Sequence, residues 1–159
     1  MAKELKTNAM RILDKNRVAY TLNTYTCPEF IDGVSVADQL GQPYESSFKT
    51  LVAVGKSGGH YVFVIPIAEE VDLKAAAKAV GEKAVELIPV KELLGLTGYV
   101  RGGCTPIGMK KAFPTVIHES VRQFGTVIIS GGRIGAQILL APADLLRVTG
   151  AATADIIRH

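Results

Sequence analysis

The segment FKTLVAVGKSGGHYVFVIPI, residues 48–67, carries the clearest structural signal in the chain. Two apolar, β-branched runs flank the turn sequence KSGGH, which is typical of an antiparallel β-hairpin. We therefore predict a strand over Phe48–Val54 and a partner strand over Tyr61–Ile67. Lys49 is the single charged residue of the first strand. It is either a solvent-facing lysine on a half-buried strand or a cation on the wall of a site.

On the N-terminal side of the hairpin, apolar spacing predicts a first helix over residues 3–16. The run VAYTLNTY, residues 18–25, predicts a strand. A short helix follows over residues 36–40, where Ser35 resembles the start of a capping box and Gly41 ends the helix.

On the C-terminal side, Asp72 is expected to cap a helix that ends at Gly81, because an Asp before an apolar run satisfies free N–H groups. Pro142 is expected to begin another helix that ends at Gly150. The other expected strands are residues 84–88, 115–118, 126–130 and 137–141, and the other expected helical segments are 91–94, 119–124 and a turn within 153–159. Residues 131–135, GGRIG, are expected to join the last two strands as an antiparallel pair.

The order of these elements does not alternate strictly between strand and helix, which argues against a doubly wound nucleotide-binding fold. We predict an α/β protein of the α+β type, with a mixed, mostly antiparallel, curved sheet surrounded by helices. The length of 159 residues suits one domain spanning residues 1–159.

Composition narrows the functional classes. The net charge of +3 permits contact with phosphate without requiring it. Cys27 and Cys104 form no CxxC pair, and no apolar run reaches membrane-spanning length, so we expect a reduced, cytoplasmic protein with no membrane partner. The histidines stand far apart and lack ligand spacing, so we expect neither a metal nor another cofactor; they are His60, His118 and His159.

The glycine-rich stretch GYVRGGCTPIGMKK, residues 98–111, allows several interpretations. It approaches the spacing of a Walker phosphate loop, but Lys111 replaces the required Ser or Thr and Pro106 removes a backbone N–H. Cys104 could be a thiol activated by neighbouring basic residues, although a small buried loop residue is the simpler interpretation. Ser130, before two glycines, is by itself a turn hydroxyl.

Four segments taken together are more specific than any one of them. FKTLVAV, VDLKAAAKAVG, TGYVRGGCTPIGMKKAFPT and TVIISGGRIG, in this order, resemble the YbaK/EbsC family of free-standing aminoacyl-tRNA deacylases. That family is related to the editing domain of bacterial prolyl-tRNA synthetases. The resemblance implies a barrel-like mixed sheet and cleavage of the aminoacyl ester of a mischarged tRNA, with cysteine on the proline tRNA as the leading substrate.

The resemblance also implies roles for individual positions. Lys49 and Gly102 would be the catalytic pair, and the N–H groups of Gly102 and Gly103 would orient the ester carbonyl. Ser130 would bind the ribose or the amino acid, and Tyr25 would lie at the rim of the site. Candidate contacts for the tRNA acceptor stem are Lys110, Lys111 and Arg133.

Two positions depart from the pattern of cysteine-acting relatives. Phe30 matches only approximately an aromatic residue that precedes the second helix in those relatives. Gln137 stands where they often carry an acidic residue. The resemblance leaves alanyl-tRNA with a water nucleophile, or a tRNA- or synthetase-binding module, as alternatives. It names prolyl-tRNA synthetase as a candidate partner, and the oligomeric state stays open.

Overall fold

The computed structural model describes residues 6–26 and 32–159, which contain five α-helices and eight β-strands. The helices are α1 (Asn8–Lys15), α2 (Gly33–Leu40), α3 (Leu73–Val80), α4 (Leu93–Thr97) and α5 (Pro142–Thr149). The strands are β1 (Tyr20–Thr24), β2 (Phe48–Gly55), β3 (His60–Pro66), β4 (Val85–Leu87), β5 (Thr115–His118), β6 (Val127–Ser130), β7 (Ala136–Leu140) and β8 (Ala152–Ala154). Short 3-10 segments cover Val90–Glu92 and Glu119–Gln123.

The strands form two sheets, one of five strands in the order β4-β2-β3-β5-β8 and one of three in the order β1-β7-β6. The hairpins β2–β3 and β6–β7 are antiparallel, as their glycine-rich turns predict, whereas β5 lies parallel to β3 and β8. A parallel bridge between Ser47 and Ile128 brings the two sheets together. The mixed, mostly antiparallel arrangement is confirmed. The barrel-like form is not, because both sheets are open.

Alternation along the central strands divides the core into two clusters. On β3, Val62 and Val64 enter one cluster, while Phe63 and Ile65 enter the other. This follows from the two-residue period of a strand, which sends successive side chains to opposite faces. Helix α3 covers the face of Phe63, and the opposite face packs against the three-stranded sheet with α1 and α5. The first cluster, through Phe48, Cys104 and Ile129, contributes to the wall of the site described below.

The predicted boundaries are confirmed for α3, for α5 and for the end of α2 at Gly41, whereas the predicted starts of α1 and α2 are wrong. Asp72 accepts the N–H groups of Lys74 and Ala75, and α3 ends at a left-handed Gly81 as expected. The predicted capping box at Ser35 is wrong, because α2 begins earlier and its N-cap is Asp32, which accepts the Ser35 N–H. Helix α1 likewise begins after Thr7 rather than near residue 3, because the Thr7 hydroxyl caps it.

The chain end is the other correction. Residues 153–159 are predicted to contain a helical turn, but Ala152–Ala154 pairs with β5 as a parallel strand. Ile157 then bridges to Val71. Partners distant in sequence determine this segment, and no local pattern encodes them. Within the described residues, none of the helices combines the length and the apolar character that crossing a membrane requires.

Candidate functional site

A cavity of about 570 Å³ opens between the two sheets. Its walls come from α2, the beginning of β2, the end of β6, the beginning of β7, and the loop that contains Gly102 and Cys104. The structure brings five of the predicted site residues to this one cavity, and they come from five separate parts of the chain: Tyr25, Lys49, Gly102, Ser130 and Gln137. Convergence of distant polar groups on one cavity is what a ligand site requires.

Two glycines explain how the loop reaches the cavity. Gly102 has a φ of 88°, a left-handed conformation that is costly for residues with a Cβ atom. Gly103 packs so closely on the next loop that an added Cβ would lie 2.8 Å from Cα of Arg133. The Ser130 hydroxyl donates to the Gly102 carbonyl at 3.3 Å. The two glycine-rich loops therefore form one continuous wall.

The start of α1 fastens this wall from behind. The Thr7 hydroxyl donates to the Gly131 carbonyl at 2.6 Å, and the Asn8 amide donates to the Gly108 carbonyl, also at 2.6 Å. Each bond satisfies a backbone carbonyl that a tight turn leaves without a ladder partner. Through these contacts α1 joins the two loops, so the backbone around Gly102 is held from both sides.

Lys49 lies half-buried on the opposite wall. Within residues 6–26 and 32–159, its ammonium group has neither a hydrogen-bond acceptor nor an ion-pair partner. Burial lowers the pKa of Lys49 below its ordinary value, and the more distant carboxylates of Glu70, Asp32 and Glu69 offset part of that effect. An unpaired, partly desolvated cation is poised to bind an incoming anion or a developing negative charge.

Asp32 is a cavity residue that the sequence patterns did not identify as one. It is the only carboxylate among the described residues that line the cavity. The Ser35 N–H donates to it at 2.8 Å, and this bond holds the pKa of the Asp32 carboxyl below its ordinary value. In the sequence, Asp32 is an acidic residue immediately before a helix, and that pattern predicts a helix N-cap rather than a residue of a functional site.

Gln42 is a second cavity residue that sequence reasoning missed. Its side-chain amide donates to the Gln137 carbonyl at 2.7 Å and accepts from the Gln137 amide at 3.0 Å. The pair links the end of α2 to β7, two elements that are distant in sequence. Nothing in the local pattern around Gln42 predicts this contact.

Cys104 also lines the cavity, but it is only 7% exposed. Burial raises the pKa of the Cys104 thiol to about 12. The thiol is therefore protonated at neutral pH, and the thiolate, which is the reactive form, is absent. This environment favours the interpretation of Cys104 as a small packing residue.

We expect Cys104→Ala to retain most of the wild-type activity, because the side chain contributes packing and no reactive group. The measurement is kcat/KM for deacylation together with thermal unfolding, which should show a loss of at most about 1 kcal/mol. A Cys104→Ala protein that is folded but inactive would restore the nucleophile interpretation.

Four predicted contacts lie away from the cavity lining. Gly103 is buried and its N–H donates to the Val100 carbonyl at 2.9 Å, so this N–H is not available to a bound ester. This bond argues against the expected contact between the Gly103 N–H and the ester carbonyl. The lack of a side chain at Gly103 instead allows the two glycine-rich loops to pack closely. Lys110 and Lys111 are exposed, and Arg133 is partly buried, with its backbone packed against Gly103. Phe30 lies outside the described residues.

None of the three histidines lines the cavity. His118 is buried and accepts the Ile156 N–H through Nδ1, whereas His60 packs against Phe113 and His159 pairs with Asp155. In the part of the chain that the structure describes, no group of three His, Cys, Asp or Glu side chains is placed to hold a metal ion. The polar groups that line the cavity include the side chains of Lys49, Asp32 and Ser130, the backbone of Gly102 and the amides of Gln42 and Gln137.

These observations define an α+β protein with a polar cavity between a lysine-bearing strand and a glycine-rich loop. Residues 31–148 match the family model described as the aminoacyl-tRNA editing domain. The chain is 46% identical over 152 residues to EbsC of Enterococcus faecalis (strain ATCC 700802 / V583), named as a candidate Cys-tRNA(Pro)/Cys-tRNA(Cys) deacylase. That match covers 95% of this chain and 93% of the relative.

Solved structures agree with the sequence comparison. A crystal structure of a candidate trans-editing enzyme for prolyl-tRNA synthetase superposes with a TM-score of 0.81 at 25% identity, covering 98% of this chain and all of the other. The hypothetical protein APE2540 gives a TM-score of 0.87 at 25% identity, over 95% of this chain and 99% of the other. The chain belongs to the aminoacyl-tRNA editing domain family, and the resemblance seen in the sequence is confirmed.

Proposed function

We propose that this chain is a deacylase that removes a wrong amino acid from the 3′ end of a tRNA, with cysteine on the proline tRNA as its main substrate. The observation that carries the proposal is the half-buried Lys49, which has no partner among the described residues and shares one cavity with the left-handed Gly102. The names of the Enterococcus relative and of the candidate trans-editing structure support the substrate.

Each side chain then has a task that its surroundings suit. The Lys49 ammonium would attract the terminal phosphate or the oxyanion that develops on the ester carbonyl. The Gly102 N–H has no acceptor among the described residues, so it would donate to that carbonyl oxygen. The Ser130 hydroxyl donates to the Gly102 carbonyl and also lines the cavity, so in this proposal it would contact the ribose.

The nucleophile is better supplied by the substrate than by the described protein groups. No histidine from those parts of the chain lines the cavity, and the Cys104 thiol is protonated. Asp32 is a weak base because its pKa is lowered. In our proposal the substrate thiol attacks its own ester carbonyl, the ribose 3′-oxygen departs with the thiol proton, and a cyclic thiolactone is released. Holding the near-attack geometry is then the main contribution of the protein.

The test is a deacylation panel with cysteinyl-, alanyl- and seryl-tRNA on the proline tRNA and on each cognate tRNA, with the products identified. We expect the fastest turnover with cysteinyl-tRNA and a thiolactone product. Preferred release of free alanine would instead support a water nucleophile. Tight binding of tRNA without multiple turnover would contradict the enzyme proposal and support a binding module.

The pH dependence of activity and stability should have opposite signs. Activity that needs the charged Lys49 falls as pH rises through its lowered pKa, earlier than an ordinary lysine would allow. Over the same range folding stability should rise, because the unfolded state there binds more protons than the native state.

The measurements are the enzymatic rate above background hydrolysis and chemical denaturation between pH 7 and pH 10. Lys49→Arg should abolish both trends, since arginine stays charged, and a parallel fall of activity and stability would contradict the assignment.

A further inference from the structure

Gln42 and Gln137 both line the cavity, and their side chains form a hydrogen-bonded pair. Gln137 is only 8% exposed and stands on β7, in register with Ser130 on β6. Gln42 follows Gly41, the left-handed residue that ends α2. The two amides meet through hydrogen bonds of 2.7 and 3.0 Å, so together they connect the helix to the three-stranded sheet beside the cavity.

The part of the cavity wall that the pair forms is polar but uncharged. Each amide has two N–H donors and a carbonyl oxygen with two lone pairs, and the pairing uses one donor and one lone pair of each. A buried amide is stable only when its hydrogen bonds are made. The mutual pairing therefore holds both side chains in fixed positions and gives them little freedom to move aside for a ligand.

The pair also explains why Gln137 is an amide in this chain. A carboxylate at position 137 could accept the Gln42 N–H, but it has no hydrogen to donate to the Gln42 carbonyl. The Gln42 carbonyl would then face a negative charge without a donor, which is costly where water is excluded. Gln42 thus favours a neutral partner at position 137, whatever the bound substrate.

We propose that the Gln42–Gln137 pair is the part of the cavity wall that meets the aminoacyl side chain, and that it selects this side chain by size and by lack of charge. Gln42 is then a specificity-determining residue that acts together with Gln137. The inference rests on the proposed deacylase function, because it places the aminoacyl group in this cavity. Small neutral side chains would fit against the pair, whereas longer or charged ones would have to disrupt it.

The experiment compares Gln42→Ala and Gln137→Ala with the wild-type chain. Two readouts are used: kcat/KM for cysteinyl- and methionyl-tRNA, and calorimetric binding of the non-hydrolysable 3′-amide analogues of cysteinyl- and methionyl-adenosine. The matched control is Gln39→Ala, since Gln39 lies in α2, three residues before Gln42, but is exposed and outside the cavity lining. Thermal unfolding confirms that each variant is folded.

We expect each cavity variant to raise the methionyl-to-cysteinyl ratio by about tenfold, and Gln39→Ala to leave it unchanged. The double variant should exceed either single variant only slightly, because each substitution already breaks the pair. Gln137→Glu should newly admit the 2,3-diaminopropionyl analogue, whose side chain is cationic. Such changes alter the preference for one substrate over another. A purely structural defect would instead lower activity and binding for all substrates alike.

Unchanged ratios in folded Gln42→Ala and Gln137→Ala proteins would overturn the inference, as would a uniform loss for all substrates. The binding readout separates the two proposals. If the wild-type chain discriminates among the analogues but turns none of the tRNAs over, the deacylase proposal fails while this one holds. If it binds none of the analogues, the cavity is not an aminoacyl site and both proposals fail.

Discussion

Lys49→Ala is expected to lower kcat/KM for deacylation by about 1,000-fold, the upper range for loss of one charge-stabilising group in a site. The reason is the position of the ammonium group, which is unpaired among the described residues and lies in the same cavity as Gly102. No other lysine among the described residues lines that cavity. The measurement is the loss of the aminoacyl group from cysteinyl-tRNA under single-turnover and steady-state conditions.

The same substitution should leave folding stability at pH 7 equal to or above that of the wild-type chain. Burial lowers the pKa of Lys49, which means that the folded state holds the charge less favourably than the unfolded state does. Removing the charge relieves that cost, and no hydrogen bond to the described residues is lost. Loss of activity combined with unchanged or raised thermal stability is the pattern expected of a residue retained for function.

Three companion variants test this prediction. Lys56→Ala removes an exposed lysine at the tip of the same hairpin, and it should be fully active. Lys49→Met keeps the length of the side chain without its charge, so it should be as inactive as Lys49→Ala. Normal turnover of cysteinyl-tRNA by either Lys49 variant would remove Lys49 from the mechanism.

The elements that sequence alone predicted are those with strong local signals. The hairpin of β2 and β3 has two β-branched runs around glycines, and helix α3 has both a side-chain cap and a terminal glycine. Local hydrogen bonding and glycine conformation determine such features, so a short window of residues contains the information. The features it missed are strand β8, which pairs with β5, and the start of α1, which is capped by a threonine that also bonds Gly131.

The residues of the candidate site also fall into those that the sequence indicated and those that it did not. Single residues such as Lys49 and Ser130 were ambiguous until the order of four segments suggested a family, because they lie on different strands and share no local pattern. The resemblance assigned a substrate contact to the Gly103 N–H, but this N–H donates to the Val100 carbonyl within the loop. Gln42 shows the opposite limit. Its pairing with Gln137 is a tertiary contact of this chain, and neither periodicity nor the resemblance indicated it.

Gly102→Ala is the second substitution with a large expected effect, and we predict about a 100-fold loss of kcat/KM. Gly102 has a φ of 88°, where a Cβ atom costs roughly 1–2 kcal/mol. The chain would relieve this strain by rotating the adjacent peptide groups. Rotation would move the Gly102 carbonyl away from the Ser130 hydroxyl and turn the Gly102 N–H away from the ester. Activity should therefore fall by more than the loss of stability explains.

Gly98→Ala provides the matched control for that prediction. Gly98 has a similar φ of 84°, but it ends α4 outside the cavity lining, and an added Cβ would meet only the flexible Lys110 side chain at 3.4 Å. Both variants should lose a similar amount of stability, measured by denaturant unfolding, while Gly98→Ala keeps near-normal kcat/KM. Equal losses of activity in the two variants would mean that backbone strain alone is responsible, and that the Gly102 N–H has no direct role. A selective loss in Gly102→Ala would tie the reaction to the backbone geometry at that one position.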